Sequence, residues 1–295
     1  MIRRKLLWSA GLLAALAAGL GADLGGMRAR AADALGLAPA PDFKLQGQLT
    51  QGGYAFGQAP AGAQAVTFNG KPVALAADGR FLIAFDRDSG PVGGLSVRLA
   101  NGQTLGAPVA ISKRAWQLEY IPIGPRPGTP PNEEYARRRA GELARINAAR
   151  SVDHAVDGWR QKFIWPVYGR ISGRFGSQRI YNGTPGSYHS GMDIATGASG
   201  TPFVAPADGV VILAAQDLFS LEGHLLMIDH GMGLNSAFLH CSKLAVKEGD
   251  VVRQGQYLGN IGMTGRATGP HLHWSMKWRD SRLDPSLFAG SMPGR

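Results

Sequence analysis

Seven histidines in this 295-residue chain are the side chains whose spacing could support metal chemistry. Five of them lie in three short contexts, which are Tyr188-His189-Ser190-Gly191-Met192-Asp193, Phe238-Leu239-His240 and Gly269-Pro270-His271-Leu272-His273. The chain has a single cysteine, which can form neither an intramolecular disulfide nor a cysteine-based zinc site. Any metal centre predicted from this sequence must therefore use histidines and carboxylates.

The spacing within these contexts indicates which side chains could meet at one ion. His271 and His273 are two residues apart, and on a β-strand such side chains project from the same face. His189 and Asp193 add an imidazole and a carboxylate four residues apart, and one further histidine completes the three protein ligands of a catalytic zinc. Such a zinc activates a water, and a histidine that is not a ligand can transfer the proton. The pattern predicts metal-assisted hydrolysis.

The composition restricts the kind of protein that carries this chemistry. Hydrophobic residues make up 44% and charged residues 18%, which excludes general disorder, and the mean hydropathy of -0.08 excludes a polytopic membrane protein. The 42 glycines favour many tight turns between short strands. The net charge of +10 suits anionic polymers in general. Because no basic and aromatic pattern of a nucleic-acid module is present, we expect no nucleic-acid partner.

The N-terminus has the pattern of an export signal. Three basic residues at positions 3 to 5 precede an uncharged stretch, Leu6 to Ala22, and a small-x-small site, Ala29-Arg30-Ala31, follows. We predict a signal peptide over residues 1–31 and a linker over residues 32–42. The mature protein is then periplasmic or otherwise exported, with no membrane span after cleavage. The alternative is an uncleaved N-terminal anchor, and both Sec and twin-arginine export stay open.

Residues 43–123 are predicted to form a small N-terminal β-sandwich of immunoglobulin-like type. Short apolar runs there precede the turn dipeptides Asn69-Gly70, Asp78-Gly79 and Asn101-Gly102, which supply the positive φ that type I′ hairpins require. This segment has no histidine or cysteine. We therefore expect no catalytic chemistry from residues 43–123. Their expected role is to position the second domain or to bind a regulatory protein partner.

Residues 124–158 are predicted to form a Pro-rich linker and a connecting helix. The linker sequence GPRPGTPP occupies 124–131, Asn132 offers an N-cap, and the helix is expected to end near Arg150. Its arginines at positions 137 to 139 favour a solvated helix face over contact with an anionic partner.

The glycine-punctuated strand pattern returns over residues 159–295 and predicts a compact antiparallel β-sheet domain. The expected strands include a hairpin folded around Asp208-Gly209, then the runs 225–229, 234–240, 251–262 and 271–278. Since only one helix is predicted, the fold class expected for the whole chain is all-β.

Three of these segments resemble one known family. YHSGMD at 188–193, LLMIDHGMGLNSAFLH at 225–240 and VKEGDVVRQGQYLGNIGMTGRATGPHLHWSM at 246–276 are similar to the consecutive motifs of the lysostaphin-type (LytM-like) zinc metallopeptidases. The resemblance extends from about Trp165 to Pro285. It implies an exported zinc metallo-endopeptidase that acts on the peptide cross-links or stems of peptidoglycan. The implied site has one zinc per chain, held by the ligands His189, Asp193 and His273, with His240 and His271 as catalytic histidines.

Two other functions compete with this interpretation. Some LytM-like domains lack ligands and activate cell-wall amidases without catalysis of their own, so a regulatory binding protein is the main alternative. The presence of all five implied site residues opposes it. A zinc-binding or storage protein is the third interpretation, and it would need more exposed ligands.

The remaining candidate residues are expected to have structural roles. Cys241 follows His240 on a predicted strand, so it should face the core rather than form a catalytic dyad. His230 is interpreted as structural or as a groove wall, His224 as a loop residue and His154 as exposed. The segment Arg179-Ile180-Tyr181-Asn182 is expected either to line the cleft or to form a solvated loop.

Overall fold

A computed structural model describes residues 38–39, 42–122 and 132–293. Within these ranges the chain is mostly β, with two α-helices and one 3₁₀ turn, so the β-rich prediction is confirmed. The predicted signal peptide, most of the linker after it and the Pro-rich segment at 124–131 lie outside the described residues. In the described part of the chain, no helix combines the length and apolar character needed to cross a membrane.

Eight of the nine short strands described in the N-terminal part pair into two small sheets. The strands are β1 (Ala38–Pro39), β2 (Gln46–Gln48), β3 (Tyr54–Gln58), β4 (Ala63–Phe68), β5 (Lys71–Val73), β6 (Arg80–Ala84), β7 (Val92–Leu99), β8 (Thr104–Ala110) and β9 (Leu118–Ile121). One sheet has the order β1-β8-β7-β4-β5 and the other β2-β3-β6, and all their pairs are antiparallel except β1 with β8. The immunoglobulin-like assignment and the domain boundaries stay predictions.

Of the three predicted turn dipeptides, Asn69-Gly70 has positive φ at both residues, whereas Asp78-Gly79 and Asn101-Gly102 have it only at the glycine. Asn69 and Gly70 join β4 to β5 with φ values of 49° and 75°, and Gly102 joins β7 to β8 with φ of 84°. Apolar side chains of both sheets lie in one core, including Phe81 and Val97, which are 0% exposed. The strands therefore follow from turn chemistry and from burial of one face.

The connecting helix α1 (Glu133–Arg150) begins where the sequence predicts, because the Asn132 side chain accepts a hydrogen bond from the Tyr135 N–H. The prediction of a solvated arginine face is wrong for Arg139. Its guanidinium binds both carboxylate oxygens of Glu222 at 2.6 and 2.8 Å, and it also contacts the buried Glu142. The ion pair with Glu222, which is 83 positions away, attaches α1 to the C-terminal part.

The C-terminal part is built on one large antiparallel sheet. Its elements are β10 (Arg170–Gly173), β11 (Gln178–Tyr181), β12 (Thr184–Tyr188), β13 (Met192–Ala195), β14 (Pro202–Val204), β15 (Gly209–Phe219), β16 (Gly223–Asp229), β17 (Leu234–Leu244), β18 (Val251–Val252), β19 (Tyr257–Ile261), β20 (Leu272–Trp278), β21 (Ser281–Leu283) and α2 (Pro285–Ala289). The main path is β10-β13-β20-β17-β16-β15-β18. β19 pairs with both β14 and β17, and β21 pairs with β20.

The predicted hairpin around Asp208-Gly209 is wrong. β14 pairs with β19, whereas β15 begins at Gly209 and pairs with β16 and β18. Pro206 lies between them and has no N–H for a ladder. The Asp208 carboxylate accepts hydrogen bonds from the Gln254 N–H and from Arg253, so this segment is a crossover held to another loop.

The two parts of the chain share a core rather than meeting at a polar boundary. Tyr54 stacks on Phe288 with ring centroids 4.0 Å apart, and Phe56 lies 5.9 Å from the ring of Trp159. β9 pairs in parallel with β11, which extends the β11-β12 hairpin by one strand. The hairpin leads directly into His189, so the N-terminal part is joined to the neighbourhood of the histidines.

Candidate active site

Asp193 and His273 are brought together by strand register. They are direct cross-strand partners on β13 and β20, a position that places their side chains on one face. His273 Nδ1 lies 2.8 Å from Asp193 Oδ1. On the other side of β13, Asp193 is the register partner of Gly173 on β10. The centre of the sheet therefore supplies a carboxylate and an imidazole from two adjacent strands.

His189 completes a compact group with these two residues. Its Nε2 lies 3.1 Å from Asp193 Oδ1 and 3.2 Å from His273 Nδ1. Ligand atoms on one zinc with bonds of 2.0–2.1 Å lie about 3.3 Å apart, so these separations fit a shared ion. His189 Nδ1 donates to the carbonyl of Arg174 at 3.1 Å, which leaves Nε2 for a metal. The residues present fit a zinc site.

His240 lies at a bulge where β17 changes partners. Leu239 pairs with His273 on β20, whereas Cys241 pairs with Ile261 on β19, and His240 between them has φ of 65°. The N–H of His240 donates to the Glu222 carbonyl at 2.8 Å, and Nδ1–H donates to the Thr264 carbonyl at 2.8 Å. Nε2 is the ring nitrogen left to act on another group.

His271 lies just before β20 and approaches the group from the same side. Its Nδ1–H donates to the Gly269 carbonyl at 2.8 Å, and its Nε2 is 3.7 Å from Asp193 Oδ1. The His240 and His271 ring centroids are 4.9 Å apart, and those of His240 and His273 are 6.2 Å apart. All five residues singled out from the sequence thus lie in one cluster.

The electrostatics of the cluster are dominated by burial and by Asp193. Burial alone would raise the pKa of Asp193, but hydrogen bonds from His189 and His273 outweigh it and hold that pKa well below its usual range. Burial opposes protonation of His189 as well, yet the Asp193 carboxylate raises its pKa above the ordinary value. For His240 burial prevails and lowers the pKa to about 4. His240 is therefore a neutral base near pH 7.

Two glycines shape the cluster, and the histidine pattern alone does not single them out. A Cβ at Gly173 would lie 2.4 Å from Asp193 Oδ2, and a Cβ at Gly191 would lie 2.7 Å from His273 Nε2. Both glycines therefore stand where the backbone closely approaches the side chains of Asp193 and His273. Their positions in the Ser172-Gly173-Arg174-Phe175-Gly176 and His189-Ser190-Gly191 segments are the signal from which they could have been found.

The histidines and the cysteine outside the cluster have structural contacts. His230 is 0% exposed, donates from Nδ1 to the Asp208 carbonyl at 2.8 Å, and is therefore structural rather than a groove wall. Cys241 is also 0% exposed, as predicted, and burial raises the pKa of its thiol to about 12. The expectations for two others are wrong, because His224 lies on β16 and His154 binds Asp229 through its Nδ1 at 3.0 Å.

The β11-β12 hairpin beside the cluster carries the residues predicted to line a cleft or form a loop. Arg179 and Tyr181 lie on β11, and Arg179 forms an exposed ion pair with Glu119 of β9 at 2.8 Å. The segment is a strand rather than a solvated loop. Its arginine already has a carboxylate partner.

Comparison with known proteins identifies the family. The model of peptidase family M23 matches residues 187–285, a range that contains all five residues of the cluster. A crystal structure of an M23-type protein from Pseudomonas aeruginosa is 30% identical and covers 83% of this chain and 96% of its own, with a TM-score of 0.63. The chain belongs to peptidase family M23. The resemblance stated from the sequence motifs is thereby confirmed.

Curated relatives of this M23 chain include cell-wall enzymes. Peptidoglycan DD-endopeptidase ShyA of Vibrio cholerae is 39% identical over 108 residues, which are 36% of this chain and 24% of that protein. DD-carboxypeptidase/endopeptidase Mpg of Neisseria meningitidis is 36% identical over 127 residues, 43% of this chain and 29% of the relative. Cell division protein DipM of Caulobacter vibrioides is 32% identical over 146 residues, which are 48% of this chain and 23% of that protein. The matches span only about a quarter of each relative's length.

Proposed function

We propose that this chain is an exported zinc metallo-endopeptidase that hydrolyses peptide cross-links or stems of peptidoglycan. The observation that carries the proposal is the group of His189, Asp193 and His273, whose ligand atoms all lie within 4.8 Å of one another. The donor set of two imidazoles and one carboxylate is that of a catalytic rather than a structural zinc site. We expect one zinc per chain.

His240 and His271 would carry out the proton transfers. When bound, zinc supplies Lewis acidity to a water and to the carbonyl of the scissile amide. Backbone carbonyls bind Nδ1 of both histidines, so each presents Nε2 to the cluster. A neutral Nε2 accepts the proton of the attacking water, and the protonated ring then donates to the departing amine. Asp193 orients the two histidines of the metal group. Its carboxylate supplies the negative charge of the three-residue ligand set.

The substrate part of the proposal is supported by the names of the relatives and by charge. ShyA and Mpg are described as endopeptidases, ShyA of peptidoglycan. The segment that the family model matches contains the histidine cluster. Residues 32–295, which remain after the predicted signal peptide is removed, have 26 basic and 20 acidic residues, and this net charge of +6 favours an anionic polymer. With the N-terminal export pattern, this supports a periplasmic enzyme that cuts the D-alanyl link to meso-diaminopimelate between neighbouring stems.

The N-terminal part, residues 43–123, would position the catalytic part, residues 159–295, and offer a surface to a regulatory protein partner. Its immunoglobulin-like character is part of this proposal. The support is physical, since the N-terminal part contacts the catalytic part through aromatic packing and through β9 on the hairpin that leads to His189.

Digestion of purified sacculi by residues 32–295 tests the proposal. With zinc present, cross-linked dimeric muropeptides should convert to monomers, and a chelator should abolish the conversion. The His273→Ala variant is the matched control and should lose zinc by elemental analysis. Free stem peptides would instead indicate amidase action, and an unchanged dimer fraction with zinc fully bound would indicate the regulatory function. Full zinc occupancy in His273→Ala would contradict the assigned ligands.

A further inference from the structure

A cavity of about 340 Å³ lies between α1 and the face of the sheet that carries the cluster. His273 and Ser190 line one part of it, so it adjoins the proposed metal site. Arg150, Lys277 and Arg282 line another part, and we call these three residues the cationic pocket. The cavity thus joins the proposed catalytic centre to a group of positive charges.

The charges of the cationic pocket lack carboxylate partners. Nε of Arg150 is buried without a hydrogen bond, and within residues 38–39, 42–122 and 132–293 neither Arg150 nor Lys277 forms an ion pair. Arg282 has a weak contact to the Tyr188 hydroxyl at 3.5 Å. Glu222 also lines the cavity, but Arg139 already binds both of its oxygens. Outside the described ranges the only acidic side chains are Asp23 and Asp33.

An unpaired cation in such a position destabilises the protein when no ligand is bound. Removing a charged group from water without a partner is unfavourable, and proteins normally pair such groups. Burial lowers the pKa of Arg150 to about 10, and Arg282 contributes by repulsion. Burial and the neighbouring arginines lower the pKa of Lys277 in the same way. A bound anion would relieve both desolvation and repulsion.

Lys277 of the cationic pocket lies on the same strand as His273 of the cluster. His273, Ser275 and Lys277 alternate on β20, so their side chains share one face. Residues four apart on a strand are separated by roughly 13 Å, about the length of four extended peptide units. A peptide whose scissile bond lies at the cluster can therefore present a carboxylate, a few residues away, to Lys277 and Arg150.

We propose that the cationic pocket binds a carboxylate of the peptide that is cleaved at the neighbouring cluster. The inference rests on the proposed function for the identity of the peptide, an acidic stem peptide containing diaminopimelate. Arg150 contributes a planar guanidinium that matches a carboxylate, and Lys277 contributes a second positive charge. The connecting helix thereby supplies a residue that determines specificity for acidic substrates.

Calorimetric binding of two tripeptides to the zinc-loaded protein tests this assignment. The probes are L-alanyl-γ-D-glutamyl-meso-diaminopimelate with free carboxylates and the same tripeptide with its carboxylates amidated. The free acid should bind the wild type at least roughly 10-fold more tightly, because charge-assisted hydrogen bonds are lost on amidation. Lys277→Gln and Arg150→Met should bind both tripeptides equally.

Matched controls separate the pocket from general charge effects. Lys243→Gln removes an exposed lysine of β17 and Arg137→Gln an exposed arginine of α1, and both should keep the preference for the free acid. Sodium phosphate at equal ionic strength should not displace the tripeptide from the wild type. Displacement by phosphate, or an unchanged preference in Lys277→Gln and Arg150→Met, would overturn the assignment.

Thermal unfolding gives a second readout that a structural role would not produce. Arg150→Met and Lys277→Gln should raise the melting temperature of the ligand-free protein, because each removes an unpaired charge. The free-acid tripeptide should then stabilise the wild type but neither variant. If the wild type binds the tripeptide but leaves sacculi intact, the hydrolase proposal fails and the cationic pocket stands. If it cleaves sacculi without distinguishing the tripeptides, only the cationic pocket fails.

Discussion

His240 is held by two backbone carbonyls that act on different atoms of the residue. The Glu222 carbonyl accepts its N–H, and the Thr264 carbonyl accepts the proton of Nδ1, both at 2.8 Å. The positive φ of 65° at the bulge is what turns the ring toward the cluster. These contacts determine the tautomer and the ring orientation, so Nε2 is available without any rearrangement.

Replacing His240 or His271 with Ala should separate catalysis from metal binding. Neither ring belongs to the three-residue metal group, so both variants should keep the fold and one zinc per chain. Turnover should fall by roughly 10²-fold to 10⁴-fold, the usual range for lost acid-base assistance. Elemental analysis and the initial rate of cross-link cleavage would measure the two effects. Wild-type rates in both variants would contradict the proposed roles.

His230 predicts a specific loss of stability in acid. Burial lowers its pKa from 6.5 to about 4, so the unfolded chain takes up the proton first as the pH falls. The penalty is absent above pH 6.5, grows by about 1.4 kcal/mol per unit below it, and is complete below about pH 4. The protonation of His230 should therefore make the free energy of unfolding about 2 kcal/mol lower at pH 5 than above pH 6.5.

The comparison of wild type with His230→Gln isolates this contribution. Urea unfolding between pH 4 and pH 8 should show a shallower pH dependence in the variant, whatever its absolute stability. Parallel profiles for the two proteins would exclude His230 as the source. Other titrating groups contribute equally to both curves.

At the scale of single residues, the local motifs together with the family resemblance predicted which side chains gather at the cluster. Three local motifs carry all five of them, and the same-face rule for residues two apart holds for His271 and His273. The pairing of Arg139 with Glu222 could not be predicted, because the two residues are 83 positions apart and no local pattern links them. The unpaired state of Arg150 is a property of tertiary packing for the same reason.

At the scale of elements, the spacing between β10 and β13 is as important to the cluster as the residues that contribute to it. Gly173 of β10 faces Asp193 of β13, and the absence of a side chain leaves room for the carboxylate. An added methyl group at 2.4 Å from Asp193 Oδ2 requires either the carboxylate or the strand to move. The first atom that the added methyl group meets belongs to the Asp193 carboxylate, so the metal group is disturbed more directly than the strand pairing.

Gly173→Ala should therefore weaken zinc binding more than it destabilises the fold. We expect roughly a 10-fold to 100-fold loss of affinity, as for changes in groups that orient metal ligands. Competition with a zinc chelator of known affinity would measure it. Gly94→Ala on β7 is the matched control, since a Cβ there meets no atom within 4 Å. Equal zinc affinity in the two variants would contradict this role of Gly173.

Elements were predictable where a turn is encoded by adjacent residues. Asn69-Gly70 has positive φ at both residues and joins β4 to β5 as expected, whereas the longer turn from β7 to β8 has positive φ at Gly102 but not at Asn101. Asp208-Gly209 carries the same local signal but serves a crossover, because the Asp208 carboxylate binds residues 253 and 254. The difference depends on a partner 45 positions away, which no turn rule contains.

At the scale of the whole molecule, the N-terminal and C-terminal parts are stabilised by common contacts. Tyr54 stacks on Phe288, and Arg114 forms an ion pair at 2.8 Å with Asp284, whose side chain is 3% exposed. The Asp284 N–H also donates to the Gly52 carbonyl at 2.8 Å. Contacts of this kind favour cooperative unfolding of the two parts.

Tyr54→Ala should destabilise both parts by the same amount. Loss of a half-buried aromatic ring from a shared core is worth about 2 kcal/mol, somewhat less than a fully buried one. Native-state hydrogen exchange at amides of β6 and β16 should show equal losses of protection. Tyr120→Ala, at a residue that is 72% exposed, should change neither. A loss confined to β6 would show that the parts unfold separately.

The bidentate ion pair between Arg139 and Glu222 connects α1 to the backbone of His240. Glu222 holds α1 through its carboxylate, and the carbonyl of the same residue accepts the N–H of His240. A displacement of α1 therefore transmits to the backbone that sets the ring of His240, through a single residue. For the proposed activity, we therefore expect contacts made on α1, outside the active site, to alter the rate.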